Sequence, residues 1–153
     1  MSQRKMSLNV QQEIHAPFRI KSAGVSLFVI FMIGMYYIAN LINLLPSDEA
    51  VPEGALGLMI VTAVLTIVVE VALQTVLVIG AGRVEDRSES DVAAEAKASR
   101  NASYVLTAGV FATVASMFAG FTQFEMASVL IGAFLLAEVI NYASQLIYYR
   151  KNA

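Results

Sequence analysis

The stretch Leu56 to Gly80, LGLMIVTAVLTIVVEVALQTVLVIG, limits what this chain can become more than any other. A hydrocarbon slab about 30 Å thick needs roughly 20 apolar residues, at 1.5 Å rise each, to be crossed as a helix. This run is long enough, and it carries one acid, Glu70, near its middle. An ionisable group at that depth is costly and faces protein or water rather than lipid. Val129 to Tyr149 repeats the arrangement, with Glu138 near its centre.

The whole composition fits such a chain. Of 153 residues, 58% are hydrophobic and only 14% charged, against about 25% charged in soluble domains. The fold class expected is all-α, a four-helix transmembrane bundle of two tandem helical hairpins with both termini cytoplasmic. The spans fall at about 23–45, 55–80, 104–121 and 126–149, after an N-terminal tail 1–22 and with a charged segment 83–103 between the second and third. There is no cysteine, which removes disulfides, thiol redox chemistry and thiolate metal sites. The one histidine, His15, lies outside every apolar run, which excludes a haem held by two histidines and argues against a histidine-rich metal site. No cofactor is expected. There is no serine–histidine pair, metal-ligand cluster or glycine-rich phosphate loop, so a non-enzymatic protein is expected.

In the tail, Met6, Val10, Ile14 and Phe18 recur every four residues. That spacing predicts a short helix on the membrane surface, interrupted at Pro17, with a loose cytoplasmic tail as the alternative. No small-x-small pattern closes the first apolar run, so a cleavable signal peptide is not expected. Tyr36 and Tyr37 lie too deep in the first span to be simple end anchors, so one is expected to face a neighbouring helix. Pro46, lacking an amide donor, ends that span. From Asp91 the sequence is alanine-rich without a breaker, which predicts a helix capped by Ser90 or Asp91 and running on into the third span. That span carries Ala108, Ala112, Ser116 and Gly120 at spacings of four. Small residues so placed predict close helix packing, with a homodimer contact as the alternative. The fourth span ends Tyr148-Tyr149-Arg150-Lys151, an aromatic belt followed by basic anchors.

All ten Lys and Arg fall in the N-terminal tail, the middle segment and the C-terminal tail. The positive-inside rule puts these three in the cytoplasm of a multi-pass inner (plasma) membrane protein. The two returning halves, VEVALQTVLVIGAGR and AEVINYASQLIYYR, share Glu-Val at mid-depth, an amide side chain soon after and Arg at the exit. Both hairpins point the same way, so any symmetry axis lies along the membrane normal.

Glu70 and Gln74 are four apart on span two; Glu138, Asn141 and Gln145 share a stripe on span four, with Tyr142 beside it. Turned inward, the stripes make a polar seam and a candidate intramembrane site. The functional reading is a proton or cation site, or a polar contact for a ligand. The structural reading, put first here, is helix register fixed by polar bonds of about 1 kcal/mol or less each. Outside the bilayer, Glu85, Asp86, Arg87, Glu89, Asp91, Glu95, Lys97 and Arg100 form a mixed-charge face. It reads either as a solvated loop or as a docking surface for a cytoplasmic protein partner, carried by Glu89, Asp91, Lys97 and Arg100. Its mixed sign argues against nucleic acid.

The segment ESDVAAEAKASRNASYVLTAGVF, with LLAEVINYASQLIYYRK at the end, resembles a family of small four-span bacterial membrane proteins of unknown function. Glu89, Asp91, Lys97, Arg100, Tyr104, Glu138, Gln145, Tyr148, Tyr149 and Arg150 match its pattern. The chain departs from it by reading Ser-Glu-Ser-Asp where the family has Asp-Glu-Arg-Asp. The resemblance implies the same topology and, from relatives encoded beside small helix-turn-helix regulators, a regulatory partner. It implies no activity. The function expected first is therefore a membrane accessory or sensor protein presenting its charged segment to a partner. The alternative is a small proton- or cation-coupled transporter using Glu70 and Glu138.

Overall fold

A computed structural model describes residues 2–80 and 89–152, with side chains from residue 20 onward except at 74, 76–80, 90, 91 and 152. The described residues form four helices and no strand: α1 (Ser2–Leu44), α2 (Ala55–Gly80), α3 (Glu89–Phe118) and α4 (Gln123–Asn152). Each contains a segment long and apolar enough to cross a membrane: Ile20–Leu44, Ala55–Leu73, Val92–Phe118 and Gln123–Lys151. The fold is an all-α, four-helix transmembrane bundle. Helices are forced because hydrocarbon offers no partner for a free amide or carbonyl.

Two short connections, residues 45–54 and 119–122, lie together at one end of the bundle. The Phe124 amide donates to the Ala50 carbonyl at 3.3 Å, tying them. α1 and α3 therefore run towards this end, and α2 and α4 run away from it side by side. Gly120 takes φ +81°, a left-handed conformation suited to a residue without Cβ. The Phe121 amide then reaches back to the Ser116 carbonyl at 3.2 Å and closes the last turn of α3. Two residues on, Thr122 and Glu125 cap α4 reciprocally. The Thr122 amide donates to Glu125 Oε2 at 2.8 Å, and the Glu125 amide donates to Thr122 Oγ1 at 3.2 Å.

α4 is the central helix. It packs most extensively on α3, then on α1, while α2 packs mainly on α1. One apolar cluster joins Ile30, Ile33 and Tyr37 of α1 to Leu58 of α2 and Leu135 of α4. A second, at the opposite end from the short connections, joins Ala23 of α1, Ala94 of α3 and Tyr149 of α4. Of the two deep tyrosines, Tyr37 is the one that faces a neighbour: it is buried and lies against Ser128 of α4, whereas Tyr36 is exposed.

Two local expectations are corrected. The helix is not interrupted at Pro17; α1 is continuous from Ser2. A proline removes one amide bond, but residues beside an existing span extend a helix already nucleated and bear no nucleation cost of their own. The face of α3 that packs closely is also not the Ala108, Ala112, Ser116, Gly120 stripe. Only Ser116 of these is buried. A spacing of four overshoots the 3.6-residue turn, so the stripe rotates by about 40° at each step. The buried seam instead runs through Ala94, Ala98, Gly109 and Ser116. At Gly109 a Cβ would overlap the Cβ of Ala133 on α4. This contact sets the α3–α4 separation. The hairpins run the same way, but α1–α2 has no equivalent contact and packs less extensively, so the repeat in sequence is not a repeat in packing.

Gly109→Leu should therefore force α3 from α4 and destabilise the bundle by about 1–3 kcal/mol. Ala108→Leu, at an exposed neighbour, should leave it unchanged. Heating the purified variants in detergent and following the folded fraction by size-exclusion chromatography checks both.

Candidate functional site

α2 holds to the bundle by one face. Ala55, Leu58, Thr62 and Thr66 are buried along it, while Val61, Val64, Val68 and Val71 are exposed on the other faces. The threonines are tolerated because the Thr66 hydroxyl donates to the Thr62 carbonyl, one turn back, at 2.8 Å. Thr62 Oγ1 is buried too, but among the described residues it has no hydrogen-bond partner. One turn beyond Thr66 on the same stripe stands Glu70, half-buried at the edge of the packed face.

Glu138 occupies the corresponding position on α4. α2 starts at Ala55 and α4 at Gln123, so both acids stand about 22 Å along parallel helices from the end with the short connections. The two side chains are near enough to interact electrostatically. Tyr142, one turn further along α4, is close enough to feel the charge of both. Oε1 of Glu70 is buried without a hydrogen-bond partner among the described residues. No basic side chain neutralises the pair, because α1 from Ser22, α2 throughout and α3 from Asn101 contain no Lys, Arg or His. Two interacting carboxyls without a basic neighbour do not favour both being ionised.

The other predicted polar residues are placed differently. Asn141 and Gln145 are half-buried and bond to each other along α4, Gln145 Nε2 donating to Asn141 Oδ1 at 3.2 Å. They extend the stripe of Glu138 away from the short connections. The side chain of Gln74 lies outside the described residues. Thr62 and Thr66 were not anticipated, although their signal is in the sequence: Thr62, Thr66, Glu70 and Gln74 recur every four residues.

Beside the acids, α2 and α4 stand apart and leave a groove of about 310 Å³. Thr62, Thr66 and Met59 of α2, Leu106 of α3, and Leu130 and Phe134 of α4 line it. Thr66 and Phe134 at one end of it are each one helical turn from Glu70 and Glu138.

At the other candidate surface, Glu89, Lys97 and Arg100 are exposed on the first turns of α3. The side chain of Asp91, and residues 83–88, lie outside the described residues. Glu95 turns inward and accepts a hydrogen bond from the Tyr149 hydroxyl at 2.9 Å. The Asn101 amide donates to the Tyr148 hydroxyl at 3.2 Å. The closing tyrosines, expected as a belt at the lipid surface, thus also pin α4 to the start of α3; Tyr149 is only 7% exposed.

Compared with known proteins, the chain matches no family model, no curated protein sequence and no solved structure.

Tyr149→Phe should remove the bond to Glu95 and lower stability by about 1–2 kcal/mol, as for a hydrogen bond to a charged group. The shift in the unfolding midpoint of the variant in a denaturing-detergent titration checks this.

Proposed function

We propose that the protein is a small proton- or cation-coupled transporter of the inner (plasma) membrane, with Glu70 and Glu138 as its ion-binding pair. The observation that supports this reading is the placement of two acids at one depth on helices that hardly touch, near enough to interact and with no basic residue in reach. A pair needed only for helix register would sit where α2 and α4 pack. These acids instead stand where α2 and α4 make few contacts, one turn from a groove, with one buried oxygen without a hydrogen-bond partner among the described residues. Intramembrane acids without a basic partner mark ion and proton paths. The distribution of Lys and Arg supports an orientation with both termini cytoplasmic.

A second reading, an accessory or sensor protein, is supported by the exposed charges Glu89, Lys97 and Arg100 on a helix continuous with a span. A protein docked there would read movements of α3 directly.

Carbodiimide, which modifies protonated carboxyls reachable from an apolar setting, should label Glu70 or Glu138 in native membranes. In proteoliposomes, ion-driven proton flux should fall about tenfold or more in Glu70→Gln and in Glu138→Gln, one order of magnitude being about 1.4 kcal/mol of lost interaction. Absence of labelling, together with unchanged flux in both variants, would reduce the pair to a structural contact and leave the accessory reading.

A further inference from the structure

We propose that the outer face of α3 binds an anionic phospholipid, its phosphate between Lys97 and Arg100 and one chain along Tyr104 and Phe111. This rests on neither functional reading above.

Position along the helix comes first. About 20 residues cross the hydrocarbon, and counted back from Phe118, the end of α3, they begin near residue 99. Lys97 and Arg100 therefore stand at the membrane boundary, on the side away from the short connections. Ala23 of α1 and Tyr149 of α4 pack with Ala94 at the same end.

Position around the helix comes second. At 100° per residue, Lys97, Arg100, Tyr104 and Phe111 fall within an arc of about 60°. The buried seam of Ala94, Ala98, Gly109 and Ser116 lies about 120° round the helix from it. All four residues of the arc are exposed, and Tyr104 at 66% and Phe111 at 70% are among the most exposed large side chains described. Ala108 and Ala115, small and exposed, leave a shallow track beside the Phe111 ring for a straight hydrocarbon chain. Half of the hydrocarbon core is about ten residues of helix deep, so a chain descending from Arg100 passes Tyr104 and reaches Phe111.

Charge decides the occupant. Neither Lys97 nor Arg100 has an acidic partner among the described residues. Glu95, two residues from Lys97, turns inward and accepts from Tyr149. Glu89 stands about 12 Å further from the membrane. Two cations three residues apart on one face suit a phosphate that accepts from both. The Tyr104 hydroxyl, one turn deeper, is level with the ester oxygens and can donate to them.

A second copy of the chain suits this face less well. An axis along the membrane normal would set Lys97 and Arg100 of one copy against the same residues of the other. Like charges so placed oppose contact. The other basic residues at this end do not frame a phosphate in the same way. Lys21 has no basic residue three or four positions away, and Arg150 and Lys151 are adjacent, hence about 100° apart.

Native mass spectrometry of the purified full-length protein in detergent, titrated with dioleoyl phosphatidylglycerol, reads the lipid adduct directly. One saturable adduct is expected, with dioleoyl phosphatidylcholine weaker by about tenfold or more. Lys97→Gln and Arg100→Gln should each weaken it about fivefold, the contribution of one basic residue near an anionic surface. Lys97→Arg should retain it, and Phe111→Ala should weaken it through the lost chain contact. Lys21→Gln and Arg150→Gln, at the same end on other helices, should leave it unchanged. All these positions are exposed, and the elution profile of each variant reports its fold. Equal affinity for the two lipids would overturn the proposal. An equal loss in Arg150→Gln would do the same, by reducing the effect to the general positive charge of this end. Displacement of the lipid by inorganic phosphate at matched ionic strength would reveal an anion site without a chain. A protein dimer abolished by Phe111→Ala would give the face to a second copy. Either result also overturns it.

Discussion

The close approach of α3 and α4 governs the rest of this bundle. In lipid no hydrophobic effect drives one apolar helix against another, so contact depends on how near two backbones can come. At Gly109 the missing side chain lets Ala133 occupy the space where a Cβ would be. Bonds from Tyr149 to Glu95 and from Asn101 to Tyr148 hold the same pair at its far end. α4 is thereby committed to α3 on one side, and it meets α1 on another through Leu135 and its neighbours. Little of its surface remains for α2.

The candidate site follows from that allocation. α2 is held through Leu58, Thr62 and Thr66, and its other faces carry valine, leucine and isoleucine into the lipid. Between α2 and α4 there is neither a Gly–Ala contact nor a filled apolar seam, so the two leave a groove. Glu70 and Glu138 stand one helical turn beyond its Thr66–Phe134 end.

Much of this was legible in the sequence. Span number and helix type follow from the length of the apolar runs. The end of α1 at Pro46 and the passage of α3 from its charged start into the membrane follow from single residues and from the lack of a breaker. The acids stood out because they are expensive. The capping of α4 by Thr122 and Glu125 was equally present as a Thr-x-x-Glu pattern, and the Thr62–Thr66–Glu70 stripe as a spacing of four. Both went unread beside louder signals, since a hydroxyl costs far less in hydrocarbon than a carboxylate does.

The sequence by itself determined the spans and their order, because hydrocarbon demands that each helix satisfy its own backbone bonds whatever its neighbours do. Which faces meet was decided only in three dimensions. Ala108 and Gly109 are adjacent and both small, yet one is exposed and the other meets Ala133. Span-length apolarity is a property of each helix alone, whereas a shared face depends on the rotation of two helices at once. The same reason governs Glu70 and Glu138: their equal depth is set by position along the chain, and their proximity by the packing of α4 against α3 and α1.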